Sequence, residues 1–146
     1  MASAILSYLP QTEGLLPKWL FLVAVISIGN SVQSYTTLYY TSRIYNPTSS
    51  DPPLKTPAHV TALSSRTFGT WTVLTALVRL YAAYNITHPA FYQLGMWTFG
   101  VAFAHFVSEW LVFGTTRLGK PLAGPLVVST TSLAWMALQW GNYVKG

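Results

Sequence analysis

Residues 91–113 read FYQLGMWTFGVAFAHFVSEWLVF, an apolar run interrupted by one imidazole, His105, and one carboxylate, Glu109. Its length matches the roughly 20 residues with which a helix crosses the hydrocarbon layer of a bilayer. Three further stretches of this kind lie at about 19–40, 68–84 and 122–140. In lipid, backbone polar groups are satisfied only inside helices or closed barrels, and four long runs cannot close a barrel. The sequence therefore predicts an all-α protein, a four-span antiparallel transmembrane helix bundle forming a single integral membrane domain over residues 1–146. Trp19, Trp71, Tyr84, Trp110, Trp140 and Tyr143 fall at or near the span ends, where amphipathic rings favour the headgroup region.

Composition agrees with a lipid environment. Hydrophobic residues make up 51% of the chain and charged residues only 8%, against roughly 25% charged in an ordinary soluble domain. The net charge of +5 comes from Lys and Arg scattered singly, so it is not the clustered footprint of a nucleic-acid binder, and no nucleic-acid partner is expected. With no cysteine, disulfides, thiol nucleophiles and Cys-based metal sites are removed at once. The first residues carry no basic leader and are broken by Pro10 and Pro17, so the first span is expected to act as an uncleaved signal.

The links between the runs set the topology. Residues 46–61, NPTSSDPPLKTPAHVT, carry Pro47, Pro52, Pro53 and Pro57 and read as an extended polar linker. NITHP at 85–89 and GTTRLGKP at 114–121 are short, so consecutive spans run antiparallel, with Pro89 and Pro121 placed to start helices. Arg43, Lys55, Arg66, Arg117 and Lys120 lie with the first and third links, and Lys18 and Lys145 with the termini. The positive-inside bias then predicts cytosolic first and third links and lumenal or external termini. The Asn85-Ile86-Thr87 sequon faces the lumen in that orientation, too near the membrane for glycan to be expected.

Each run also carries a small or polar stripe at spacings of three and four, which places it on one helix face. The stripes are Ala24, Ser27, Ser31 and Ser34; Ser65, Gly69, Thr72, Ala76, Arg79 and Ala83; Gly95, Thr98, Ala102, His105 and Glu109; and Pro125, Ser129, Ser132, Met136 and Gln139. Lipid gives helices no hydrophobic drive to associate, so small residues that permit close approach mark the bundle interior. A lone intramembrane carboxylate needs a partner. Folding the second and third spans about their short link puts Arg66 level with Glu109, and His105 lies one turn away on the same face. Arg79 falls level with Met96, about 20 Å along the helix from Glu109 at 1.5 Å per residue, and is expected to snorkel to the nearer interface.

Arg66, His105 and Glu109 therefore form a candidate interhelical ionic joint or partner contact. The same His105 and Glu109, facing a lipid-accessible cavity, have the chemistry to move a proton between carbons, as a membrane isomerase would require. An adjacent Arg66 would hold Glu109 ionised and argues against that use. Three His and three acidic residues cannot supply a membrane di-iron site, and no Gly-rich fingerprint seats a nucleotide. No cofactor or metal is expected. The hydroxyls of Ser129, Thr130, Thr131 and Ser132 have no Lys or His base near them in sequence and read as interhelical hydrogen-bonding groups.

Four strings taken together resemble the Erg28-like family, the ergosterol biosynthetic protein twenty-eight group: LPKWL at 16–20, LSSRTFGTWT at 63–72, HFVSEWLVFGTTRL at 105–118 and GPLVVSTTSLAWM at 124–136. The resemblance implies a non-catalytic, multi-pass scaffold of the endoplasmic reticulum membrane for sterol (ergosterol) biosynthesis. Its implied partners are a sterol C-4 methyl oxidase, a decarboxylating C-3 sterol dehydrogenase and a 3-keto sterol reductase, with a sterol C-24 methyltransferase also linked to fungal members. Thr67, Gly69 and Trp71 share a matching string with Arg66, and Ser129, Thr130, Thr131 and Ser132 lie in another. These are candidates for the partner or packing surface.

Overall fold

The computed structural model describes residues 2–48 and 55–145. The expectation for Pro52 and Pro53 falls on 49–54, outside the described residues. Every regular element among the described residues is helical: α1 Ala2–Leu6, α2 Leu16–Thr36, α3 Tyr39–Ile44, α4 Ala62–Tyr84, α5 Pro89–Leu111 and α6 Lys120–Tyr143. The all-α class and the antiparallel order of four long helices are as expected. Two boundaries differ for a local reason.

The first run does not continue to residue 40. Thr36 Oγ1 donates back to the Val32 carbonyl at 2.9 Å, and Thr37 turns extended with φ −149° and ψ 148°. Hydroxyls that compete for helix carbonyls favour such a stop. Thr37 Oγ1 then accepts from Tyr39 N–H at 3.1 Å, opening the short helix α3. The second run starts earlier than residue 68, because Thr61 and Ser64 form a reciprocal capping box. Ser64 N–H donates to Thr61 Oγ1 at 3.0 Å, and Thr61 N–H donates to Ser64 Oγ at 2.8 Å. Such a cap fixes a helix start irrespective of hydropathy.

α2 packs most extensively along α4, α5 along α6, and α4 on α5. The α2/α4 seam uses the small stripes. Ser31 Oγ donates to the Gly69 carbonyl at 2.6 Å, and Ser65 Oγ donates to the Ser34 carbonyl at 2.6 Å. A Cβ on Gly69 would lie 2.8 Å from the Tyr35 ring and 3.1 Å from Ser34 Cβ, so only glycine permits this approach without a shift. On α4/α5, Gly95 plays a similar part against Ala82 and Met136. Seams built on small residues and hydroxyls are what helix association requires where apolar burial supplies no drive.

Two apolar clusters fill opposite ends of the bundle. Leu16, Leu20, Ala82, Ala83, Ile86, Tyr92, Phe99 and Met136 pack at the terminus end, and Ile44, Ala102, Phe106 and Leu122 at the link end. α2 and α6 are long and apolar enough to cross a membrane. α4 and α5 fall below that mark, as Arg66 and Arg79 with several Thr and Ser in α4, and Gln93, His105 and Glu109 in α5, dilute their mean hydropathy. Their outward faces still carry Leu74, Leu77, Leu94, Trp97 and Val101.

Arg79 departs from expectation. It does not reach an interface but is 93% buried, being 7% exposed, between α2, α4 and α5. Its Nε donates to Thr98 Oγ1 at 3.0 Å, and its guanidinium lies 4.1 Å from the Phe99 ring centroid. Its place on the small interior stripe of α4 outweighs the reach of its side chain.

Candidate functional site

At the link end, α3, α4 and α5 and the links enclose a cavity of about 400 Å³ whose wall includes Tyr45, Thr67, Trp71, His105, Glu109 and Thr115. His105 is held within a ring of aromatic side chains. Its centroid lies 5.0 Å from Phe106, 5.5 Å from Trp71 and 5.8 Å from Tyr45. The Tyr45 hydroxyl and His105 Nε2 share a hydrogen bond of 2.6 Å. Burial, with the Glu109 carboxylate and then Tyr40 adding to it, pushes the Tyr45 phenol up from its ordinary value. Burial thus holds Tyr45 as the neutral phenol, bonded to the imidazole.

Glu109 is engaged separately. Its Oε2 accepts from the Thr115 hydroxyl, and its backbone carbonyl accepts from Thr115 N–H at 2.9 Å. These bonds fold the third link back onto the end of α5 and give the carboxylate a neutral donor. On the far side of the cavity His59 Nε2 reaches the Tyr45 carbonyl at 2.8 Å, tying the first link to the same tyrosine. Two links and one helix end are thus fastened around His105 and Glu109.

Arg66 does not join them. Its side chain is exposed, and no ion pair links it to Glu109 among the described residues. The depth argument holds along the helix axis but not around it. Ser65, Gly69 and Thr72 form the buried face of α4, and Arg66, one residue on from Ser65, is turned about 100° away. Trp71 is half-buried in the cavity wall, Thr67 is exposed at its edge, and Gly69 belongs to the α2/α4 seam.

The hydroxyl run on α6 divides in two. Ser129 and Ser132 are buried, whereas Thr130 and Thr131 are exposed. Only Ser132 bonds across helices, accepting from Trp19 Nε1 at 2.8 Å; Ser129 and Thr130 donate to the Leu126 carbonyl of their own helix. The expected interhelical role therefore narrows to Ser132. Sequence reasoning passed over Tyr45 and Thr115, whose pairing with His105 and Glu109 depends on links folding back. Nothing in their local spacing signals it.

Residues 16–134 match the family model described as Erg28 like protein, a span holding all the site residues named above. The chain belongs to the Erg28 family. It is 50% identical over 140 residues to the ergosterol biosynthetic protein 28 of Candida albicans, covering 95% of this chain and 96% of that relative, so the likeness runs through all four long helices. The Saccharomyces cerevisiae protein of the same name is 43% identical over 132 residues, 90% of this chain and 84% of its own. The human homolog is 35% identical over 127 residues, 83% of this chain and 81% of its own, so membership extends beyond fungi. No solved structure matches the chain.

Proposed function

We propose that this Erg28-family protein is a non-catalytic scaffold that tethers sterol C-4 demethylation enzymes in the endoplasmic reticulum membrane. The observation that carries the reading is the state of the two proton-transfer candidates. His105 Nε2 is bonded to Tyr45 and Glu109 Oε2 to Thr115, so both side chains fasten links to the bundle. The names of the relatives, ergosterol biosynthetic protein 28, support a place in sterol synthesis. The enzymes held are a C-4 methyl oxidase, a decarboxylating C-3 sterol dehydrogenase and a 3-keto sterol reductase, with a C-24 methyltransferase as a further partner. A tether raises the local concentration of each enzyme for the next one's product and adds no chemical step of its own.

In this reading all four long helices span the bilayer. α4 and α5, each of 23 residues, are about 34 Å long at 1.5 Å per residue, enough for a hydrocarbon layer of about 30 Å. Their exposed Leu, Trp and Val side chains then face lipid or partner helices. The cytosolic face carries the links with Arg43, Lys55, Arg66, Arg117 and Lys120. An amino-terminal tag is expected to resist protease in sealed microsomes until detergent is added; digestion without detergent would reverse the orientation.

The rival reading, a membrane sterol isomerase using His105 and Glu109, has two observations in its favour: both line a single cavity, and Arg66, whose pairing would have tied up Glu109, is exposed away from it. Purification of the tagged chain from mild detergent separates the two. A scaffold retrieves the demethylation enzymes together and turns over no sterol alone. Turnover by the purified chain, or retrieval of none of those enzymes, would sink the tether.

A further inference from the structure

A second cavity, of about 390 Å³, opens between α2 and α6, over a floor formed by α4 and α5. It adjoins the pocket around Glu109, sharing Phe68 and Trp71 with it, but Arg79 lines only this cleft and His105 and Glu109 only the other. Its walls are largely apolar, with Val23, Ile26, Phe68, Phe106 and Val128 among them. From Phe68 to Arg79 it runs about 16 Å along α4 at 1.5 Å per residue. Arg43 and Lys120 line its link end, Arg79 lies at its other end, and no acidic residue among the described residues lines it.

Arg79 is the unusual group. A buried charge is strongly disfavoured unless paired, yet no ion pair reaches this guanidinium among the described residues. Glu109 lines the other cavity and Glu13 is exposed in the segment before α2. Of five N–H donors, the hydrogen bonds engage three: Nε to Thr98 Oγ1 at 3.0 Å, Nη2 to the Thr98 carbonyl at 3.4 Å and Nη1 to Ser27 Oγ at 3.5 Å. All three acceptors are neutral, and two of the bonds are long. The Phe99 face compensates the charge only in part. The bundle thus holds a cation in the floor of an apolar slot without its counter-ion.

We propose that this cleft binds a lipid acid, with its carboxylate on Arg79 and its apolar body lying between α2 and α6 toward Phe68. A carboxylate matches the planar fork of a guanidinium, and a single negative charge neutralises the single buried positive one. The competing anionic head is a phosphodiester, which competition by phosphatidylserine separates from a carboxylate. The assignment rests on the cleft alone and does not depend on the tether reading.

The full chain, purified into phosphatidylcholine nanodiscs, is photolabelled with a diazirine-bearing cholesteryl hemisuccinate and, in parallel, with the uncharged cholesterol analogue. The acid is expected to label peptides of α2 and α6 at least tenfold more strongly than the neutral sterol. Oleate should compete, and phosphatidylserine should not. Arg79→Met should abolish the preference for the acid. Should that variant fail to fold by circular dichroism and gel filtration, Val128→Phe, which leaves Arg79 in place and fills the cleft, is decisive and should cut labelling about tenfold. Equal labelling by the neutral sterol, competition by phosphatidylserine, labels mapping to the His105 cavity, or undiminished labelling of a folded Arg79→Met or Val128→Phe would each overturn the assignment.

Discussion

Replacing Tyr92 with Ala is expected to lower the unfolding midpoint of the detergent-solubilised bundle by roughly 10 °C, from a loss of about 3 kcal/mol. Tyr92 is fully buried at the terminus end, edge-on to Trp140 at 5.3 Å between centroids. Its hydroxyl donates to the Met136 carbonyl at 2.7 Å, tying α5 to α6. The loss is set near the lower end for a large-to-small change, because in lipid or detergent the transfer part shrinks while the cavity remains. Tyr92→Phe keeps the ring and removes only the hydrogen bond, so a drop of about 1 kcal/mol is expected. Thermal denaturation of both variants tests this, and equal drops would mean that the hydrogen bond, not the packing, holds α5 on α6.

Removing the chain from a sterol-producing cell is expected to alter its sterols more than any single substitution. On the proposed tether, several C-4 methylated or carboxylated intermediates should accumulate together, because enzymes of separate steps would lose a common anchor and with it their high effective concentration. Glu109→Gln is expected to leave the sterol profile within about twofold. The amide oxygen still accepts from Thr115, so the link stays fastened to α5. General acid or base catalysis by Glu109 predicts instead a loss of about 10²- to 10⁴-fold in one step. Accumulation of one sterol in both strains would replace the tether by the isomerase.

The interior faces of the helices were legible because their cause is local. Ala24, Ser27, Ser31, Ser34, Ser65, Gly69, Thr72, Ala76, Gly95, Thr98, Ala102, Ser129 and Ser132 fall at helical spacings, and all are buried, whereas His105, Glu109, Pro125 and Gln139 of the same stripes are only half-buried. The stop at Thr36 was not legible from hydropathy, since it is made by hydroxyls competing for carbonyls within an otherwise continuous run. The Arg66–Glu109 pairing failed on rotation about the helix axis, which a count of residues from a hairpin does not contain. Arg79 was misjudged for a related reason. Side-chain reach favoured the interface, but α2 covers α4 along the length that would have to be crossed. The partners of His105 and Glu109 lay in segments read only as links, and their approach is a property of the folded chain.

The hydrogen bond from Trp19 to Ser132 joins residues 113 positions apart. During synthesis from the amino end, α2 and α4 already have each other, since the bonds of their seam lie within the first half of the chain. The indole of α2, by contrast, has no acceptor until almost the last helix has emerged. The first pair of helices alone therefore leaves that donor without its partner, and only α6 supplies the acceptor that ties the two ends of the chain together.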